Sequence, residues 1–242
     1  MSLYEEVLAA FRSGDNDRTR RLSESLLNTA RQSGNAGDEV DGLCMLSRVA
    51  LREGRFDEMA RYAEAAQRAA SDQGDARVGR MPLHILAVAA RMTGDVARAR
   101  RLYEQSIDLN RSLGMETMVA AEMRNLAYVE LHDGNVDRAR NLFLSARSEA
   151  ARLGYDDLAP YLVGDAAVLA AHDGDLEEAV RLQATAQEGF RRAGQVLDPD
   201  DQAEQDHLRA DLVGRLGEER VAHLAGEGAT TTVRDGLGRL AG

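Results

Sequence analysis

The sequence predicts an all-α fold: an α-solenoid, a right-handed superhelix of five forty-residue helical hairpins closed by C-terminal capping helices. Three observations carry that expectation. Gly14, Gly54, Gly94, Gly134 and Gly174 stand forty residues apart. Gly34, Gly74, Gly114, Gly154 and Gly194 repeat with the same period, twenty residues after the first series. Between the glycines, apolar and small residues recur at helical spacing, as in Leu86, Ala87, Ala90 and Leu126, Ala127, or Ala99, Leu102, Tyr103 and Ala139, Leu142, Phe143.

Each glycine falls where a helix has to stop and the chain has to turn, in a left-handed conformation that only glycine adopts at low cost. In Gly94-Asp95, Gly134-Asn135 and Gly174-Asp175 the next residue is a good N-cap for a second helix. One unit is then a first helix of about 15 residues, a turn, a second helix of about 18 and another turn. The expected hairpins span about 2–38, 39–75, 76–115, 116–155 and 156–195. A lone hairpin cannot bury its apolar face, so the units have to stack. Residues 196–242 break the period. Asp198-Pro199-Asp200-Asp201 signals a helix start, Leu208, Leu212, Val213 and Leu216 sit at helical spacing, and shorter helices are expected around 217–226 and 230–240.

The repeats resemble the tetratricopeptide family in a longer, forty-residue form. Its small-residue positions are matched by Ala87, Ala127 and Ala167 in first helices and by Ala66, Ala99, Ala139, Ala146, Ala179 and Ala186 in second helices. Its large second-helix position is matched by Tyr103 and Phe143, whereas its Trp and its repeat-end Pro are missing. The strings from Thr93 to Arg100 and from Gly134 to Arg140, and the tail from Leu216 onward, resemble the helical-repeat regions of large ATP-binding LuxR-type bacterial regulators. That resemblance implies a C-terminal sensor or interaction part. The nucleotide-binding module and helix-turn-helix of those regulators have no counterpart in the sequence.

Composition narrows the chemistry. The 30 basic residues are all Arg, which removes every mechanism that needs a lysine: Walker-type phosphate loops, Schiff bases and pyridoxal-phosphate catalysis. A net charge of -11 argues against direct nucleic-acid binding. Cys44 is the single cysteine, so no internal disulfide forms; it reads as a small packing residue. No apolar run suffices to span a bilayer, and the N-terminus lacks a basic segment followed by an apolar one, so a cytoplasmic protein without membrane partners is expected.

Candidate binding residues come from a helical wheel. The stripe opposite the core of the first helices, which in a two-layer solenoid lines the concave side, carries Asp41, Met45, Arg48 and Arg52 in the second repeat. It carries Met81, Ile85, Val88 and Met92 in the third, Ala121, Asn125, Tyr128 and His132 in the fourth, and Tyr161, Asp165, Val168 and His172 in the fifth. A wholly apolar stripe in the third repeat calls for a cover. Either neighbouring first helices or the C-terminal segment bury it, or it floors a groove flanked by Arg48 and Arg52 on one side and by Asn125, Tyr128, His132, Tyr161, Asp165 and His172 on the other, with His84, Arg91 and Arg124 at its margins. Such a groove suits a peptide, a protein segment or a small effector.

His132 and His172, one repeat apart, are expected about 10 Å from each other, too far to share a metal, and read as helix C-terminal residues facing the dipole. Arg98, Arg100, Arg101, Arg138 and Arg140 read as a solvated outer face. No catalytic, metal or cofactor motif is found. The expectation is a non-enzymatic binding module of bacterial regulation. The alternative is a groove used as a small-molecule pocket by an enzyme or sequestering protein, with Tyr128, His132, Asp165 and His172 as its acid-base set. Homodimer formation through the uncapped Leu3, Val7, Leu8 and Phe11 of the first repeat is a further expectation.

Overall fold

A computed structural model describes residues 2–239; Met1 and residues 240–242, the end of the expected capping segment, lie outside the described residues. Among the described residues there are thirteen α-helices, one 3₁₀ turn and no strand. The repeat helices are α1 (Leu3–Arg12), α2 (Asn16–Ser33), α3 (Ala36–Arg52), α4 (Phe56–Ser71), α5 (Arg80–Met92), α6 (Val96–Ser112), α7 (Glu116–His132), α8 (Val136–Leu153), α9 (Ala159–His172) and α10 (Leu176–Ala193). The closing helices are α11 (Pro199–Leu216), α12 (Glu218–Ala229) and α13 (Val233–Arg239). The chain divides into two compact units, one ending at Gly134 and one beginning at Asn135. In the first, each helix packs on its neighbours in sequence from α1 to α7; in the second, α8 packs on α9 and α9 on α10.

All ten glycines of the two series have positive φ, between +62° and +85°. This is the left-handed region in which a side chain is strained, and each glycine ends a helix there. Two of the three expected caps form, Asp95 and Asp175, and Asp15 caps α2 in the same way: Asp15, Asp95 and Asp175 accept hydrogen bonds from the backbone N–H of Arg18, Arg98 and Glu178 at 2.9, 3.0 and 3.2 Å. Asn135 holds the same position without such a bond.

The first helices are not uniform. α3 and α7 begin two residues after their glycines, but α5 begins six after Gly74 and α9 five after Gly154. Proline is the cause. Pro82 and Pro160 lack a backbone N–H and clash with the carbonyl four residues back, so they are tolerated only in a helix's first turn. Starting α5 at residue 76 would put Pro82 in the helix interior. The freed residues form a turn at 76–79, with Asp75 accepting from the Arg77 N–H at 2.9 Å, and a 3₁₀ turn at Asp156–Leu158.

Small residues set how closely the helices approach. Ala63, Ala66, Ala99, Ala139, Ala146, Ala179 and Ala186 are wholly buried, as is Tyr103. Arg100 and Arg140, read from sequence as a solvated face, are instead tethers. Arg100 donates to Glu130, at 2.7 and 3.1 Å, and to Asp133. Arg140 pairs with Asp173, and Arg20 with Glu53. Each of the three links Arg20–Glu53, Arg100–Asp133 and Arg140–Asp173 spans 33 residues, joining a second helix to the end of the next first helix.

The apolar face of α10 is closed by the tail. Leu208, Leu212, Val221 and Leu224 form one core with Leu182, Ala186 and Phe190. Gly228 lets α12 touch α10 backbone to backbone, since a Cβ at this position would lie 2.2 Å from the Arg181 carbonyl oxygen. Thr185 Oγ1 donates to the Gly228 carbonyl at 2.9 Å. Gly228→Ala is therefore expected to cost about 1–3 kcal/mol in urea denaturation by forcing α12 off α10. Gly226→Ala, where a Cβ meets nothing within 4 Å, is expected to stabilise by about 0.5–1 kcal/mol.

Candidate functional site

In the unit ending at Gly134, α1, α3 and the turn into α5 enclose a cleft of about 250 Å³. Tyr4, Val40, Asp41, Cys44, Met45 and Arg48 line it from α1 and α3; Arg77, Val78, Arg80 and Met81 line it from the turn and α5. Among the described residues, the side chains of Arg77 and Arg80 have no ion-pair partner. Arg48 also packs its guanidinium 4.1 Å from the centre of the Phe11 ring.

The charges of Asp41, Arg48 and Arg80 act on both Tyr4 and Cys44, so all five groups share one electrostatic neighbourhood. Burial, helped by Asp38, raises Asp41 to about 6. Burial likewise raises Tyr4, assisted by Asp41. Cys44 is buried, and burial pushes its thiol well above the usual range, which keeps it protonated and unreactive. The cleft thus combines an apolar floor with three guanidinium groups against one reluctant carboxylate.

Of the residues expected in a groove, Arg48 and Met81 meet in this cleft. Ile85 and Val88 do not stand open: they are 2% and 3% exposed, because α5 is packed by α3, α4 and α6. Met92 is half-buried. Arg52 lies over Phe11 at 3.5 Å and donates to its carbonyl oxygen at 2.7 Å. With Arg48 and Arg52 on its ring, Phe11 is buried within its own unit rather than left uncapped.

The fourth-repeat residues lead into a buried polar interior. Arg91 and Arg124 are buried, with guanidinium carbons 5.8 and 5.2 Å from the centre of the buried Tyr128 ring. Asn125 is also buried. His84 places Nδ1 3.0 and 3.1 Å from the two carboxylate oxygens of Glu122, which also accepts from Ser106 Oγ at 2.9 Å. Burial opposes the charge on Glu122, yet the charge of His84 and hydrogen bonds from His84, Ser106 and Asn125 hold its pKa below the ordinary value. This network ties α5, α6 and α7 together; Arg91 and Arg124 are buried rather than at groove margins, while the His84 side chain stays 31% exposed. Glu122 and Glu130 escaped the sequence reading because acids on a helix ordinarily mark its solvated face.

His132 is exposed at the end of α7. In the second unit, His172 is exposed at the end of α9, Asp165 is buried, and Tyr161 sits edge-on to Phe190 with ring centres 4.7 Å apart. Among the described residues no group of three metal-ligating side chains occurs, and no helix is long and apolar enough to cross a membrane. The cleft residues missed from sequence, Arg77 and Arg80, lie where Pro82 displaces the helix start. A wheel that assumes an unbroken helix misplaces them.

No protein-family model matches the chain, and no curated protein is similar to it. Solved structures do match. BtubC (BKLC) from P. vanneervenii aligns with a TM-score of 0.59 at 19% identity, over 98% of this chain and 93% of that one. A Rap protein complexed with competence and sporulation factor aligns with a TM-score of 0.64 at 10% identity, over 92% of this chain and 64% of that one. The apo form of RapI aligns with a TM-score of 0.63 at 10% identity, over 98% of each chain. At these identities the likeness is one of fold: a helical-repeat protein.

Asp41 carries the pH dependence of the cleft. Its pKa rises from 3.8 to about 6 on folding, so the folded chain holds the proton more tightly than the unfolded one. Its unfavourable contribution is absent below pH 4 and complete above pH 6. Asp41→Asn is expected to raise stability at pH 7 by about 1 kcal/mol, a figure reduced for solvent screening of a half-buried group. In urea titrations the gain should shrink from about pH 6 downward and vanish below about pH 4.

Proposed function

We propose that the chain is a non-enzymatic helical-repeat binding module that recognises a peptide or protein segment in the cleft between α1, α3 and α5, as the sensing or scaffolding part of a bacterial regulatory system. The observation that carries this reading is the gathering of Arg48, Arg77 and Arg80 over an apolar floor, in a chain whose net charge is -11. Guanidinium forks select carboxylate-bearing segments, while Val40, Met45, Val78 and Met81 offer adaptable apolar contact. The fold shared with a Rap protein solved in complex with competence and sporulation factor supports a ligand-recognition role. The resemblance of the repeats to the sensor part of LuxR-type regulators supports the regulatory setting.

Tyr128 is buried beside two arginines, Asp165 is buried, and His132 and His172 stand exposed at helix ends. The test is retention on an array of random peptides, with the full chain and its Arg77→Glu and Arg80→Glu variants. Acidic segments are expected to bind the parent, and each reversal to weaken them at least about tenfold, or about 1.4 kcal/mol. Affinities that survive both reversals would move recognition elsewhere, and a chain that retains no peptide would overturn the reading. A discrete added mass in native mass spectrometry, from a small compound, would replace the peptide with an effector.

A further inference from the structure

A histidine at the edge of the first unit is joined to the interior by hydrogen bonds. His84, on α5, has a side chain 31% exposed, and its Nδ1 lies 3.0 and 3.1 Å from the two carboxylate oxygens of Glu122 on α7. Glu122 is 4% exposed and accepts from Ser106 Oγ at 2.9 Å. Asn110 Nδ2 in turn donates to the Ser106 carbonyl at 2.9 Å and to Ser106 Oγ at 3.3 Å. The chain therefore runs from an imidazole that water reaches to two residues with no exposure at all.

A carboxylate this deep is ionised at a cost, which its partners have to offset. Ser106 and Asn125 offer neutral hydrogen bonds, whereas His84 can carry a full positive charge. Burial raises the pKa of Glu122, and the charge of His84 is the largest influence that lowers it. The interaction is mutual: the buried carboxylate favours the proton on His84 as much as that proton favours the carboxylate.

The charged and titratable groups around the pair leave the pH response to the imidazole. From α6, Tyr103 places its ring centre 6.5 Å from that of His84. From α3, Cys44, whose thiol stays protonated, and Arg48 reach the start of α5. From α4, the residues beside Leu83 are the uncharged Gln67, Ala70 and Ser71. On α5 itself Arg80 stands one turn before His84 and Arg91 seven residues after it, and α7 adds Arg124 two residues after Glu122. Arginines keep their charge throughout the physiological range, so a change between about pH 6 and 8 falls on the histidine.

We propose that His84 is a pH-operated clasp: protonated, it holds α5 onto α7 through Glu122, and its deprotonation loosens α5, the helix that also carries Arg80 and Met81 of the cleft. In the unfolded chain His84 meets water and titrates near 6.5; in the folded chain a buried carboxylate holds its proton. The contribution of the clasp is thus complete below about pH 6.5 and is lost as pH rises through the folded value. Glu122 sets the acid limit. Its pKa is held below 4.5, so its contribution is present above that pH and is lost as pH falls through the folded value. Asp41 does not imitate the alkaline loss, because its own unfavourable contribution is complete above about pH 6.

Nuclear magnetic resonance titration of the imidazole carbon-bound protons in the full chain tests this, with the His84 signals assigned by their absence from His84→Gln. The His84 midpoint is expected about one pH unit or more above 6.5, and Glu122→Gln is expected to return it to about 6.5 or below. Urea midpoints of the parent should fall from about pH 6.5 to 8.5, and those of Glu122→Gln should stay level. A His84 midpoint at or below about 6.5 in the parent would overturn the proposal, and so would a raised midpoint that survives Glu122→Gln. Level urea midpoints in the parent over the same range would overturn it as well. Both parent measurements decide the matter even if the variant fails to fold.

Discussion

Everything in this chain depends on helices that are not allowed to continue. A glycine in the left-handed region every twenty residues ends one helix and aims the next, so no helix among the repeats exceeds 18 residues. Helices this short gain most of their stability from burial and little from propensity, and a single hairpin buries only one side of itself. Stacking follows from that shortage of partners, and the buried alanines fix how near the stacked helices come. The Arg20–Glu53, Arg100–Asp133 and Arg140–Asp173 links then set register between a second helix and the first helix that follows it.

The unit ending at Gly134 carries ions inside it. Glu130 is fully buried and held by Arg100, and Glu122, 4% exposed, is held by His84 and Ser106. Removing Arg100 or His84 would leave a carboxylate away from water without its cation, a far larger loss than the net worth of the pair. Such pairs admit one arrangement of α5, α6 and α7, whereas apolar side chains alone tolerate several. The same network takes in the buried Asn125, and Arg124 is buried beside the Tyr128 ring, on α7, a helix that mixes charged and apolar residues on every side.

Cavities appear where the repeat fails. Pro82 and Pro160 delay α5 and α9, and the turns that replace the missing helical residues border three clefts. One turn supplies Arg77 and Val78 to the cleft against α1 and α3, and Asp75 and Ala76 to the cleft against α4 and α6. The proposed recognition cleft is thus a local departure from periodicity on a periodic scaffold.

The sequence by itself determined the number of the repeat helices and where each one stops, because glycine at positive φ, Asp at an N-cap and the 3.6-residue period act within a few residues of one another. It also determined the small-residue contacts at Ala99, Ala139 and Ala179 and the buried Tyr103, since these repeat with the glycines. The candidate cleft was only partly legible. Arg48 and Met81 could be placed on a wheel, but Arg77 and Arg80 could not, and Ile85 and Val88, alike on the wheel, are interior. Those outcomes belong to tertiary structure. Whether a residue on the face away from its own hairpin meets solvent depends on which other helix lies across it, and whether an arginine is a tether or a ligand depends on a carboxylate some thirty residues away. Neither distance is set by local geometry.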